Sequence, residues 1–96
     1  MRAYELMYIL APELDEEAVA KQTESFDAFI TSRGGEVSRT ESAGKRRLAY
    51  EIDKIKEGFY YFIEFSADGD APREVESRIR IMESVLRYLT IRLDED

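Results

Sequence analysis

The chain has 96 residues, 44% hydrophobic and 36% charged, a balance that suits one compact domain and excludes wholesale disorder. It has no cysteine and no histidine, which rules out disulfides, a cysteine nucleophile and imidazole or thiolate metal sites, and leaves only all-oxygen sites for hard cations. Lys and Arg number 14 against 21 Asp and Glu, a net charge of −7, which argues against whole-surface affinity for nucleic acid while allowing a local basic patch.

The first ten residues carry no cationic stretch followed by an apolar run and a cleavage site, and no apolar run approaches membrane-spanning length. The expectation is a soluble, cytoplasmic protein. "AYELMYIL", residues 3 to 10, is the first predicted strand, with Tyr4, Leu6, Tyr8 and Leu10 on one face and Glu5, Met7 and Ile9 on the other. Both faces are largely apolar, as in a central strand. Pro12 ends it. Asp15 is a candidate N-cap, Glu16 and Glu17 suit the positive end of a helix dipole, and Leu14 with Val19 has the spacing of a hydrophobic staple. Ala18, Val19, Phe26, Phe29 and Ile30 form one stripe, so a helix is predicted from Glu16 to Arg33, stopped at Gly34.

From Glu36 the period returns to two. Val37, Arg39 and Glu41 alternate with Ser38, Thr40 and Ser42 in a polar, edge-like strand that Gly44 interrupts and that resumes at Arg46. "DKIKEG", residues 53 to 58, reads as a hairpin loop, and "FYYFIEF", residues 59 to 65, as a second central strand. "DGDAP", residues 68 to 72, breaks the chain before a helix carrying Val75, Ile79 and Met82. "LRYLTIRL", residues 86 to 93, is the last strand, with Leu89, Ile91 and Leu93 expected inward and Tyr88, Thr90 and Arg92 outward.

The order β-α-β-β-α-β predicts an α+β, ferredoxin-like domain over residues 1–96, with a short acidic tail at 94–96. Right-handed crossovers put both helices on one face of a four-stranded antiparallel sheet and leave the other face open. On that open face the alternation puts Met7, Ile9, Tyr60, Phe62 and Tyr88, enough apolar surface to mark a site for a protein partner. Base stacking of the kind seen on RNA-binding sheets is disfavoured, because Glu57 stands where a basic residue precedes the glycine.

Lys45, Arg46 and Arg47 form the most concentrated run of cations, with Lys54 and Lys56 in the predicted loop beyond. Two readings are open on residues alone. The charges block edge-to-edge strand pairing, or they grip phosphate, the arginines bidentately and Lys45 as a point charge. Composition favours the first.

The opening "MRAYELMYIL", the stretch "GKRRLAYEI" at residues 44–52 and the closing "ESVLRYLTIRL" together resemble the bacterial small-subunit ribosomal protein S-six family, over nearly the whole chain and in the same order. The most specific part is Gly44, Arg46, Leu48, Ala49, Tyr50 and Ile52. The resemblance implies a ferredoxin-like structural protein of the ribosome with no catalytic residues, metal, cofactor or small-molecule substrate. Its implied partners are small-subunit ribosomal RNA and ribosomal protein S-eighteen. It also implies that Arg2, Arg46, Arg47, Arg87 and Arg92 face RNA or the partner protein, and it shifts the reading of Lys45, Lys54 and Lys56 towards phosphate. Tyr50 matches a motif position without an assigned contact. Glu51 departs from the pattern, which often has proline there, and the long polar tail of some members is missing.

The principal rival is a stand-alone ferredoxin-like oligomeric or ligand-sensing domain, for which the same apolar patch is a self-interface. An enzyme is disfavoured, since "RGGE", residues 33–36, follows a helix C-terminus, where the dipole repels anions. The carboxylate runs Glu16-Glu17 and Asp94-Glu95-Asp96 lack calcium-loop spacing and read as solvated charge.

Overall fold

A computed structural model describes residues 2–52 and 54–93. The elements run β1 (Arg2–Leu10), α1 (Glu16–Ser32), β2 (Glu36–Ile52), β3 (Ile55–Ala67), α2 (Ala71–Arg80) and β4 (Val85–Arg92). The strands form one four-stranded antiparallel sheet in the order β2-β3-β1-β4, the ferredoxin-like arrangement expected from the sequence. The acidic tail at 94–96 lies outside the described residues.

Helix α1 starts where its cap chemistry dictates. The Asp15 side chain accepts from the Ala18 N–H at 2.8 Å, Glu16 and Glu17 occupy the first turn, and Gly34 takes φ +83° just beyond the C-cap Arg33. Asp70 precedes α2 without a capping hydrogen bond from its side chain, and Pro72 fits the first turn. Val19, Phe26 and Ile30 of α1 and Ala71, Val75 and Ile79 of α2 pack with Leu6, Tyr8 and Leu10 of β1 and Ile63, Phe65 and Ala67 of β3 in one core. Both helices therefore cover the same sheet face. Each large side chain removed from water there stabilises the fold by about 1.5–3 kcal/mol. Tyr8 is fully buried with its ring edge-on to Phe26, and burial pushes its phenol pKa upward. Thr23 gives its single hydroxyl hydrogen to Val19 O at 3.2 Å, so Tyr8 donates across the 3.3 Å to Thr23 Oγ1.

Three expectations are corrected. The loop predicted at 53–58 shortens to a turn between Ile52 and Ile55, with Lys54 at φ +69° and Asp53 outside the described residues, so Lys56 lies on β3. Gly58 is a strand residue, not a loop residue: a Cβ there would sit 2.5 Å from Ile9 Cγ2 and 2.9 Å from Leu10 O, and only glycine lets β1 approach so closely.

The third correction is the phase of β4. Tyr88 pairs with Tyr8 on the helix side, packs against the core, and accepts a hydrogen bond from Arg80 Nε at 3.4 Å. Leu89 pairs with Met7 and Ile91 with Glu5 on the open face, where they remain 52% and 46% exposed. The cause is a shift of register at the start of the strand. Leu10 pairs with Val85 and Ile9 with Arg87, so Leu86 is an extra residue and alternation restarts after it.

Candidate nucleic-acid interface

β2 sets the geometry of the basic stretch. Paired with β3, it shifts register after Val37, again between Ser42 and Gly44, and most strongly between Arg47 and Ile52, where five residues of β2 run against two of β3. Each extra residue bends and twists the strand. Gly44 adopts φ +79° at the second shift, a conformation that side-chain-bearing residues rarely take. Lys45, Arg46 and Arg47 then pair with Phe59, Gly58 and Glu57, so they belong to the bent strand just past a bulge.

The three cations do not act as one cluster. Lys45 lies over the Phe59 ring, 5.7 Å from its centroid and on the helix side of the sheet, with Glu57 at 3.9 Å. Arg46 stands on the open side, where its Nε donates to Ala43 O at 3.0 Å and so ties it to the bulge. Arg46 and Arg47 line one shallow depression with Glu41, Ala43, Tyr60 and Phe62. Beyond Arg47 the strand end turns across the open face. Leu48 becomes buried beside Met7, Ile9 and Tyr60, and Tyr50 reaches β4 at the opposite edge. There the Arg87 guanidinium lies 4.7 Å from the Tyr50 ring centroid and its Nη1 donates to the Tyr50 hydroxyl. Lys56 lines a hollow with Arg47 and Tyr50 and lies 3.9 Å from Glu51. Arg46, Arg47, Lys56 and Arg87 thus share the end of the sheet over which the β2 tip folds, and Lys54 lies at the adjoining turn.

Arg2 and Arg92 belong to the other end. Arg2 stands opposite Ala67 and Arg46 opposite Gly58, nine residues apart on β3, or about 30 Å of strand. Arg92 pairs with Tyr4 beside Arg2. The sequence-predicted set therefore divides into two groups that one small ligand cannot bridge.

The open face itself is graded. Its centre is apolar: Met7, Tyr60 and Phe62 are half-buried, Leu89 and Ile91 are exposed, and Ile9 is covered to 3% exposure by the β2 tip. Away from the basic end, Glu5, Glu41 and Glu64 gather around Arg39, with Glu5 directly opposite Glu64 and Arg39 paired to Glu41. Leu89 and Ile91 were missed by sequence reasoning, and so was the acidic end. The one signal for the latter was that Glu5 and Glu64 each break an otherwise apolar alternation. Among the described residues no three carboxylates come together as a cation site, and no helix is long and apolar enough to cross a membrane.

Comparison with known proteins sharpens the picture. The model of the family described as "Ribosomal protein S6" matches residues 3–92. The small ribosomal subunit protein bS6 of Clostridium acetobutylicum is 44% identical over 95 residues, covering 99% of this chain and 100% of the relative. That of Fusobacterium nucleatum is 46% identical over 94 residues, covering 98% and 100%. The crystal structure of the 30S ribosomal protein S6 from Thermotoga maritima superposes with a TM-score of 0.90 at 36% identity, over 96% of this chain and 87% of that one.

Proposed function

The chain belongs to the ribosomal protein S6 family, and from that premise we propose that it is a non-catalytic, structural protein of the small ribosomal subunit, binding central-domain ribosomal RNA jointly with ribosomal protein S-eighteen in the cytoplasm. The observation that carries the division of labour is the charge gradient along one uncovered sheet face. Arg46, Arg47, Lys56 and Arg87 lie at one end; further along, Met7, Phe62 and Leu89 share a rung with Glu41, and Ile91 shares the next with Glu5, Glu64 and Arg39, so carboxylates there are interleaved with apolar side chains. Phosphate contacts at the basic end fix the protein's register on RNA without reading sequence. The interleaved apolar and acidic side chains suit a cationic protein laid across the sheet. The net charge of −7 then serves specificity, because it discourages binding to RNA where the cationic partner is missing. Lys45 contributes less than its neighbours on this reading, since it turns towards Phe59 and Glu57 on the other side.

The test is the double variant Arg46→Ala, Arg47→Ala. Both side chains are exposed, so the fold survives with stability changed by less than about 1 kcal/mol. Assembly onto a central-domain RNA fragment with S-eighteen weakens about ten- to a hundredfold, on the scale of one charge-assisted hydrogen bond at about 1.5–3 kcal/mol. The salt dependence becomes shallower by about 0.7–0.9 per phosphate lost. A variant that unfolds returns the two arginines to a purely structural role.

A further inference from the structure

Tyr50 is 58% exposed, yet it is one of the most engaged side chains on the open face. The five-against-two register shift carries it from the β2 edge to the β4 edge, and Leu48, buried to 9%, anchors the crossing strand end. Its ring then lies against the Arg87 guanidinium, and its hydroxyl accepts from Arg87 Nη1. A tyrosine at the tip of a strand end, largely exposed and engaged with an arginine through its hydroxyl, adds little to the core. What it does is engage one long cationic side chain of the opposite edge strand. Arginine carries five N–H donors in a planar fork. The phenol oxygen takes one donor, leaving others on the rim for an anion.

We infer that Tyr50 is a positioning residue for Arg87: it fixes the guanidinium of the opposite edge strand so that the remaining donors present a preset fork to a phosphate group of the RNA backbone. The inference rests on the RNA-binding reading above and deepens it. The gain lies in ordering a long side chain before binding, which removes part of the cost of doing so at the interface. Tyr50 itself carries no charge and forms no contact with the phosphate.

The experiment is a double-mutant cycle on the full chain, read by titration of a central-domain ribosomal RNA fragment in the presence of S-eighteen. Tyr50→Phe keeps the ring and lowers affinity about two- to threefold. Tyr50→Leu lowers it about as much as Arg87→Ala, on the order of tenfold, and the combined variant binds no more weakly than Arg87→Ala alone. Tyr50→Leu, although it removes no charge, also makes the salt dependence shallower, which loss of packing alone does not do. Additive losses, or an unchanged salt slope, overturn the inference and make Tyr50 either a direct contact or a packing residue.

Proton NMR of the free chain separates this from failure of the functional reading. Nuclear Overhauser contacts between the Arg87 side chain and the Tyr50 ring, lost in Tyr50→Leu, establish the pair without RNA. Their absence overturns the inference outright. Their presence with no RNA binding by the wild type overturns the RNA reading and, with it, the phosphate role of the pair.

Discussion

Two glycines of this chain show how differently one residue type is used. Gly44 faces open space and is required for its left-handed backbone alone, whereas Gly58 has an ordinary φ and is required for closeness, its place being taken up by Ile9 Cγ2 and Leu10 O. Gly58→Ala forces β1 and β3 apart and costs about 1–3 kcal/mol, measured by urea unfolding. If it is neutral, the close approach does not exist. Asp27 carries a different cost. Its Oδ1 is shielded from solvent and takes no hydrogen bond among the described residues, and burial, reinforced by Glu24, raises its pKa. A carboxyl whose folded pKa exceeds its unfolded value binds more protons folded than unfolded between the two, so its contribution to stability falls as pH rises from the ordinary carboxylate range through the raised value. Asp27→Asn therefore melts at a higher temperature than the parent at pH 7, and the difference closes below about pH 4, where both side chains are neutral. A difference independent of pH, checked by thermal denaturation across that range, contradicts this account. Neither effect was legible in the sequence. Gly58 looked like a turn signal, and nothing in the sequence singled out Asp27, because close approach and shielding depend on what arrives from elsewhere in the chain.

At the scale of elements, β1 and β3 place Glu5 directly opposite Glu64 on the open face, an arrangement that costs stability. Glu5→Gln raises stability by about 0.2–1 kcal/mol in urea unfolding and weakens capture of S-eighteen in calorimetric titration. If stability rises and capture is unchanged, the acidic end has no part in partner binding. The elements themselves were largely readable. The cap at Asp15, the apolar stripe of α1, the stop at Gly34 and the aromatic run of β3 each carry a local signal strong enough to locate them. The face of β4 was not readable. Leu89, Ile91 and Leu93 are the more apolar phase, so alternation alone pointed them inward, whereas the extra residue at Leu86 restarts the alternation and puts Tyr88 on the helix side. The path of β2 was half readable. Gly44 announced an interruption, and the alternation resuming at Arg46 pointed to a strand that continues past it. The second large shift, after Arg47, has no glycine or proline to mark it, and it is this shift that carries Tyr50 to Arg87.

For the whole molecule, the consequence of both helices covering one face is that the other face is available, with cations gathered at one end and carboxylates interleaved with apolar residues further along. The cations named from sequence do not all serve it. Arg46, Arg47, Lys56 and Arg87 gather at one end, while Arg2 and Arg92 lie about 30 Å of strand away, so any role for that second pair requires a separate stretch of RNA or partner. On the proposed reading, an acidic protein meets RNA through a small basic end and gains its affinity from a neighbour rather than from its own net charge. The most direct measurement is the affinity of the purified chain for a central-domain ribosomal RNA fragment at fixed salt, with and without S-eighteen. Weak binding alone and strong binding with the partner is the result the account predicts; equal affinity in both arms contradicts it.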